Sequence, residues 1–454
     1  MNLVLFIPGL ISIFLVMRGR LETAFLNVYL PTLLLLPNSY EVRVPHLPPT
    51  TTAELALLPI GIAAVFRLVR SGSIKFMDVL VFSYLASIGI TELLYEHVMN
   101  NGIFWTCDFF FSVVMAYAAG RVVIEPNLRV ATVRRIVILI LLLGPLGLYE
   151  WRFGQNIYGI VGERILRLDQ VQSTVQLRGG RGRMGGSFTD AEIGGIAFGM
   201  TAALNAWLVY RNKRKADANR PDLLTKLQKY HVPGIFLLFY LWLTQSRGPE
   251  GATAAAYLVL QIPKFKNTKL MTAVVAVVLA VGLVAGYIYI NRSVAGVDPS
   301  SGMTEQQGST LYRVYMNQLY TPVAQQGGWL GWGLAGVPKL AGLVSIDNEF
   351  LRVWLVQGRL GIIILLLIVA ETVRTLVARS LQFQNLEDRA FVFCMMAGMA
   401  VLWISLTTVY MGEQLPMYAF LLVGWTQGLV PSRVSAATAV VPESQKFAFR
   451  RVFG

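Results

Sequence analysis

The sequence predicts an all-α protein, a polytopic transmembrane helical bundle of about 12–13 spans. Three observations lead there. Hydrophobic residues make up 55% of the 454 and charged residues 14%, where an ordinary soluble domain carries about 25% charged. Mean hydropathy is +0.56. Apolar runs near 20 residues recur from one end of the chain to the other, each long enough to cross about 30 Å of hydrocarbon as a helix. Barrel strands would instead give runs of about ten residues with alternating polarity.

In order, the expected spans are 3–17, 23–38, 53–70, 76–95, 102–121, 134–152, 187–210, 232–246, 248–263, 269–290, 349–373, 389–411 and 414–430. The first two are short or broken by proline. The N-terminal run lacks a basic leader and a small-residue cleavage site, so a span is expected there and not a signal peptide. The chain then divides into N-terminal transmembrane helices (1–152), an arginine-rich outer loop (153–186) and central transmembrane helices (187–290). A large outer loop (291–348), C-terminal transmembrane helices (349–430) and a cytoplasmic tail (431–454) follow.

Orientation follows from Lys and Arg, which collect in cytoplasmic loops. Arg211, Lys213, Arg214, Lys226 and Lys229 crowd one loop, Lys264, Lys266 and Lys269 another, and Arg374, Arg379 and Arg389 a third. Alternating spans put all three on one face, together with Arg67, Arg70, Lys75 and the basic C-terminus. This topology accounts for most of the net charge of +14, so no nucleic-acid partner is expected. Cys107 and Cys394 lie inside apolar runs, and His46, His97 and His231 are scattered. Neither a disulfide framework nor a metal site is expected from them.

Two loops face outward. The first holds Arg164, Arg167, Arg178, Arg181 and Arg183 and no lysine. These break the positive-inside trend, and the planar guanidinium suits bidentate phosphate recognition. A loop that binds anionic lipid headgroups is the plainer alternative. In the second loop Leu311, Tyr312, Tyr315, Met316 and Leu319 recur at helical spacing, with Arg313, Asn317 and Tyr320 on the other face. A short amphipathic helix on the membrane surface is expected, its polar face turned to a site; a helix that only covers the loop is the alternative.

Three motifs carry chemistry. Thr244-Gln245-Ser246-Arg247-Gly248-Pro249-Glu250 joins two spans by a turn too short to leave the membrane surface. A charge held at that depth usually has a partner or a function, and the helix N-terminus after it favours an anion. Arg247 with Ser246 makes a phosphate clamp, unless the arginine only snorkels to headgroups. The stretch from Gly185 to Gly195 starts a span, where Asp190 is a candidate cap. In Ser345-Ile346-Asp347-Asn348-Glu349-Phe350-Leu351, Asp347 is placed to accept a proton from a sugar hydroxyl or to cap the following helix. Absences narrow the chemistry. No Asp-x-Asp pair occurs, so a metal-dependent nucleotide-sugar transferase is not expected, and no P-loop occurs to hold ATP.

The order of these motifs resembles the O-antigen ligase and polymerase superfamily, membrane enzymes that assemble bacterial surface polysaccharides. Gly186-Ser187-Phe188 with Asp190 to Gly195 looks like the family's helix start, and Thr244 to Gly248 like its T-x-S-R-[GA] turn. Arg313 with Gly331-Trp332-Gly333, and Asp347 to Leu351 with Gly358 and Gly361, resemble its loop arginine and its closing block. The resemblance covers roughly residues 185–375. It implies a C-type glycosyltransferase (GT-C) fold in the bacterial inner membrane, no cofactor and no metal. The donor would be a polyprenyl-pyrophosphate-linked glycan on the outer leaflet, with a chain-length regulator among the partners. Arg247 and Arg313 would hold the pyrophosphate, with Asp347 catalytic. Arg178, Arg181, Arg183, Ser246, Asn317, Asn348 and Glu349 are the expected substrate contacts. Ligases typically carry histidine where Asp347 stands, so a polymerase is expected. The alternatives are a ligase transferring glycan to lipid or protein, a lipid-linked-glycan transporter, and a scaffold for polysaccharide export.

Overall fold

The computed structural model describes residues 3–45, 48–94, 99–168, 171, 173–188, 190–214, 223–294, 305–412 and 414–431. His46, His97, Lys215 and Arg220, residues 295–304 of the large loop and the tail from 432 lie outside the described residues. Each expected span falls on a helix. They are α1 (Leu3–Met17), α2 (Leu21–Leu35), α3 (Thr52–Arg70), α4 (Phe76–Leu94), α5 (Gly102–Val123), α6 (Arg129–Phe153), α7 (Ala191–Arg214) and α8 (Val232–Leu243). Then come α9 (Arg247–Gln261), α10 (Thr268–Val294), α11 (Glu305–Gln326), α12 (Glu349–Gln382), α13 (Leu386–Ser405) and α14 (Leu415–Gly428). Eight of these, α3 to α7, α10, α12 and α13, are long and apolar enough to cross a membrane. The chain is a multi-pass helical membrane protein.

Successive helices reverse direction and give the bundle two ends, each tied by contacts between distant loops. At one, which we call the upper end, the Gln414 amide donates to the carbonyls of Leu36 (2.9 Å) and Ser187 (2.8 Å), and Ser187 Oγ donates to Leu34 (2.6 Å). At the lower end Arg129 pairs with Asp388 at 2.5 Å and Arg211 with Glu387 at 2.9 Å, and Arg121 pairs with Asp78. The lysine-rich loops after α7 and α9 lie at this lower end. The arginine-rich loop and the segment before α12 lie at the other.

Helices α7, α13 and α14 form the centre. Trp207, Phe391 and Trp425 pack there, Trp207 edge-on to Phe391 at 4.7 Å. The closest crossing is α5 on α14. A Cβ added at Gly120 would stand 1.9 Å from the Leu421 carbonyl oxygen, and one at Gly424 2.0 Å from that of Tyr117. Small residues there let two backbones meet, the usual way membrane helices associate. In contrast α10 is almost unburied.

Three expectations change. The span expected from 187 starts as a helix at Ala191, because Gly186–Phe188 forms a separate 3-10 turn with Gly186 at φ +66°. The amphipathic helix α11 is 22 residues long and does not stand apart from the bundle. Tyr320, expected on its polar face, is buried with Met316 and Ala324 against Leu351 and Leu355 of α12, while Tyr315 and Leu319 are exposed. The partner surface, not hydrophobic spacing alone, chose the buried face.

Gly424→Ala should lower the unfolding midpoint in detergent, as overpacking by about 1–3 kcal/mol requires. Gly286→Ala, which meets nothing within 4 Å, should leave it unchanged. Equal midpoints for the two variants would refute the close α5–α14 contact.

Candidate functional site

The turn between α8 and α9 holds its shape through arginines from the loop before α7. Gln245 adopts φ +51°, a left-handed conformation uncommon for a side-chain-bearing residue. The last carbonyls of α8 lack helical partners, as helix C-termini do. Arg183 Nε donates to the Thr244 carbonyl at 3.1 Å, and Arg178 Nη1 donates to that of Gln245. Arg183 also donates to Ser246 Oγ (2.7 Å) and Gln176 Oε1 (2.7 Å), and reaches Glu192 Oε1 at 3.3 Å. Arg183 and Ser246 are both buried. Expected as substrate contacts, they are braces of the turn, their polar atoms committed within the protein.

Two short strands, Leu177–Arg178 and Arg181–Gly182, pair antiparallel around Gly179-Gly180. They present Arg178 and Arg181 to the turn, and Arg181 stacks over Trp151 with its guanidinium carbon 4.6 Å from the ring centroid. Below them Glu150 fixes the glycine segment. Its carboxylate accepts from the N–H groups of Gly185 (2.7 Å) and Gly186 (2.9 Å) and from Asn156 Nδ2 (2.7 Å). At the start of α7 Asp190 accepts from the Glu192 N–H at 2.9 Å, as a capping residue does. Burial raises the Asp190 carboxyl pKa, opposed by that N–H and by Arg183, while Asp347 pushes it up further. Glu192, which sequence reasoning left without a role, is the hub: its Oε1 lies 3.3 Å from Arg183 and 3.5 Å from Arg313.

Asp347 is set by α11. Tyr312 Oη donates to the Ser345 carbonyl (2.7 Å) and accepts from the Ser345 N–H (2.8 Å), and Met316 Sδ accepts from the Asp347 N–H at 3.2 Å. The helix cap is Asn348, whose side chain accepts from the Leu351 N–H at 3.2 Å and touches Asn317 at 3.4 Å. The capping alternative for Asp347 is thereby removed. Its carboxylate accepts from Ser345 Oγ at 2.7 Å.

A backbone splice fixes α11 against α12. The helix breaks at Gly358 (φ +66°, ψ −160°), and the segment after α11 fills the gap. Trp332 and Gly333 donate to the carbonyls of Leu355 (2.8 Å) and Val356 (3.0 Å), while Arg359 and Leu360 donate to those of Gly328 (3.1 Å) and Trp329 (3.0 Å). A Cβ at Gly331 would lie 2.4 Å from the Gly358 nitrogen, and one at Gly358 2.3 Å from the Gly331 nitrogen.

These pieces enclose a cavity of about 1270 Å³. Arg313, Asn317, Asp347 and Asn348 form its polar end, with Gly248 at the α9 N-terminus beside them. Its remaining walls are mostly apolar, from α9, α10, α11, α12 and the end of α13, with Gln318, Thr321, Thr407 and Thr408 also in the lining. Two donors at this cavity, Arg313 Nε and Trp354 Nε1, are buried without a hydrogen-bond partner. Trp354 was not singled out from sequence, since a tryptophan in a membrane helix carries no periodic signal of its role. Arg247 is exposed and faces a smaller cavity of about 380 Å³ with Arg178, Arg181, Gln245 and Glu250. Burial lowers the Arg178 pKa, and the like charges of Arg183, Arg247 and Arg313 lower it further, with Glu192 opposing. The arginines therefore share one field that an anion would relieve. Glu349 does not join them. It is buried, pairs with Arg352 through both oxygens (2.9 and 3.2 Å), accepts from the Met411 N–H at 2.8 Å, and lines a separate cavity.

Asn348→Ala should cost about 1 kcal/mol, the usual loss of an N-cap, whereas Asp347→Ala should leave the unfolding midpoint near wild type. The reverse order, measured by thermal unfolding, would return the cap to Asp347.

No protein-family model matches this sequence, and no curated protein does.

Proposed function

We propose that the protein polymerises lipid-pyrophosphate-linked oligosaccharide repeat units into a surface or secreted polysaccharide. The observation that carries this reading is the large cavity. It joins mostly apolar walls to a polar end that carries the Arg313 guanidinium, Asn317, Asn348 and the Asp347 carboxylate. A ligand matching both halves has an isoprenoid tail and a phosphorylated sugar head. The motif order supports the same reading through its resemblance to the O-antigen ligase and polymerase superfamily.

In this reading the protein is a GT-C-like, metal-independent transferase of the bacterial inner membrane. Its upper end faces the periplasm or cell exterior. An acceptor hydroxyl attacks the anomeric carbon of the donor sugar. The bond from that carbon to the pyrophosphate oxygen breaks, and polyprenyl pyrophosphate leaves. Asp347 takes the hydroxyl proton, worth typically about 10²–10⁴ in rate. Arg313 stabilises charge growing on the bridging oxygen, and Arg247, in the neighbouring smaller cavity, adds to the positive field around it. Arg178 and Arg181 extend the positive surface, and Arg183 positions the turn that carries Arg247. Transfer to a lipid or protein acceptor would use the same geometry with a different nucleophile.

Arg313→Lys keeps the charge and loses the planar fork. Turnover of a lipid-pyrophosphate oligosaccharide should fall by roughly 10²–10³, the loss of about 2–4 kcal/mol of transition-state stabilisation. Near-normal product ladders on a gel would defeat the clamp. Gly282 lines the groove with nothing within 4 Å of its would-be Cβ. Gly282→Phe should raise KM for a long polyprenyl donor far more than for a short farnesyl one. Equal effects on both would remove the groove from the donor's path.

A further inference from the structure

A second cavity, of about 550 Å³, opens at the upper end on the opposite side of α12. The first turn of α12 is the shared wall. Asp347, Asn348, Phe350 and Leu351 face the large cavity, whereas Glu349 and Arg352 face this one. The volume falls within the roughly 300–1,000 Å³ of small-ligand sites. No part of the transfer step described above uses it.

Its lining sorts ligands by chemistry. The carboxylates of Glu41, Glu54, Asp108 and Glu349 outnumber the guanidinium groups of Arg43 and Arg352. Both arginines are paired, Arg43 with Glu41 and Arg352 with Glu349. Glu54 accepts from the Thr51 N–H at 2.7 Å and shares a hydrogen bond with Asp108. Glu54 and Asp108 thus hold a proton between them, and both arginines are already paired, so a pyrophosphate gains little here beside the arginine side of the large cavity. Among the described residues no group of three acidic, histidine or cysteine side chains is arranged to hold a metal ion. Between the polar groups stand aromatic faces, Tyr84, Phe104 and Trp105, with Trp105 41% exposed. Asn38, also in the lining, leaves its Oδ1 buried without a partner. Acceptor oxygens interleaved with aromatic faces suit a neutral polyol, whose hydroxyls donate and whose C–H face packs on rings.

We propose that this cavity is a glycan subsite, holding uncharged sugar residues of the acceptor chain a short way behind the hydroxyl that reacts. The proposal rests on the transferase reading above. It gives the enzyme a grip on the growing chain that is separate, in residues and in charge, from its grip on the donor.

The test uses the full chain in nanodiscs and two probes. One is the oligosaccharide freed by mild acid from the producing cell's own lipid-linked repeat unit, followed by saturation-transfer NMR. The other is farnesyl pyrophosphate, followed by calorimetry. Trp105→Ala truncates a half-exposed ring and Asp108→Asn is isosteric, so both variants should fold. Each should weaken the oligosaccharide about tenfold and leave farnesyl pyrophosphate unchanged. The proposal fails if wild-type protein does not bind the oligosaccharide, or if both variants bind it as wild type does. Loss of both probes together also counts against a separate glycan site. The transferase reading fails on its own arm, if Arg313→Gln binds farnesyl pyrophosphate as tightly as wild type.

Discussion

The site depends on the backbone splice at Gly331 and Gly358. A membrane helix that loses its i to i−4 hydrogen bonds must satisfy the freed groups with other protein, since lipid offers none. Here the segment after α11 supplies them, through four backbone bonds of 2.8–3.1 Å to residues on either side of the break. Only glycine tolerates the approach, because either added Cβ would overlap the other residue's nitrogen. The consequence is geometric. Arg313 and Asn317 ride on α11, Asp347 and Trp354 belong to the start of α12, and the splice sets the distance between the two groups. Tyr312 and Met316 then complete the register by holding Ser345 and Asp347.

Charge is distributed over the upper end with a consistent sense. Arginines from the loop before α7 converge on the turn that carries Arg247, and Glu192 bridges Arg183 and Arg313. The carboxylate keeps two guanidinium groups close without cancelling the positive field, and the Arg178 pKa is lowered by burial first and by Arg183, Arg247 and Arg313 after it. Across α12 the balance reverses, and carboxylates outnumber arginines that are already paired. The first turn of α12 thus separates an arginine-bearing lining from one in which carboxyl groups outnumber arginines. The residues alternate because Asp347 and Glu349 lie on opposite sides of the helix start.

Hydropathy made the helices legible, since each apolar run must satisfy its backbone internally and form a helix. The motif residues were legible as a set, because Arg313, Asp347 and Asn348 share one cavity and Arg247 is its neighbour. Individual roles were less so. Asp and Asn cap helices about equally well, so Asp347-Asn348 alone left the cap open until the Leu351 N–H was seen on Asn348. Arg183 carries the same side chain as Arg178 and Arg181, yet burial beside the Thr244 carbonyl turns it into a brace. Glu349 differs from Asp347 by two positions and faces another cavity. Such distinctions depend on which element packs against which side, and no spacing within one segment encodes that.

Packing is uneven across the bundle, and α10 is almost unburied. Here the tight contacts lie elsewhere: the glycine crossing of α5 on α14, the aromatic centre around Trp207, and the ion pairs at the lower end. Helix α10 contributes Gly282 and Gly286 to the cavity with open space before them. Its outer face carries exposed valine and leucine, side chains that lipid tails satisfy as well as protein does. Stability is held in the centre, and a glycine on this wall costs little because no neighbour was packed against it.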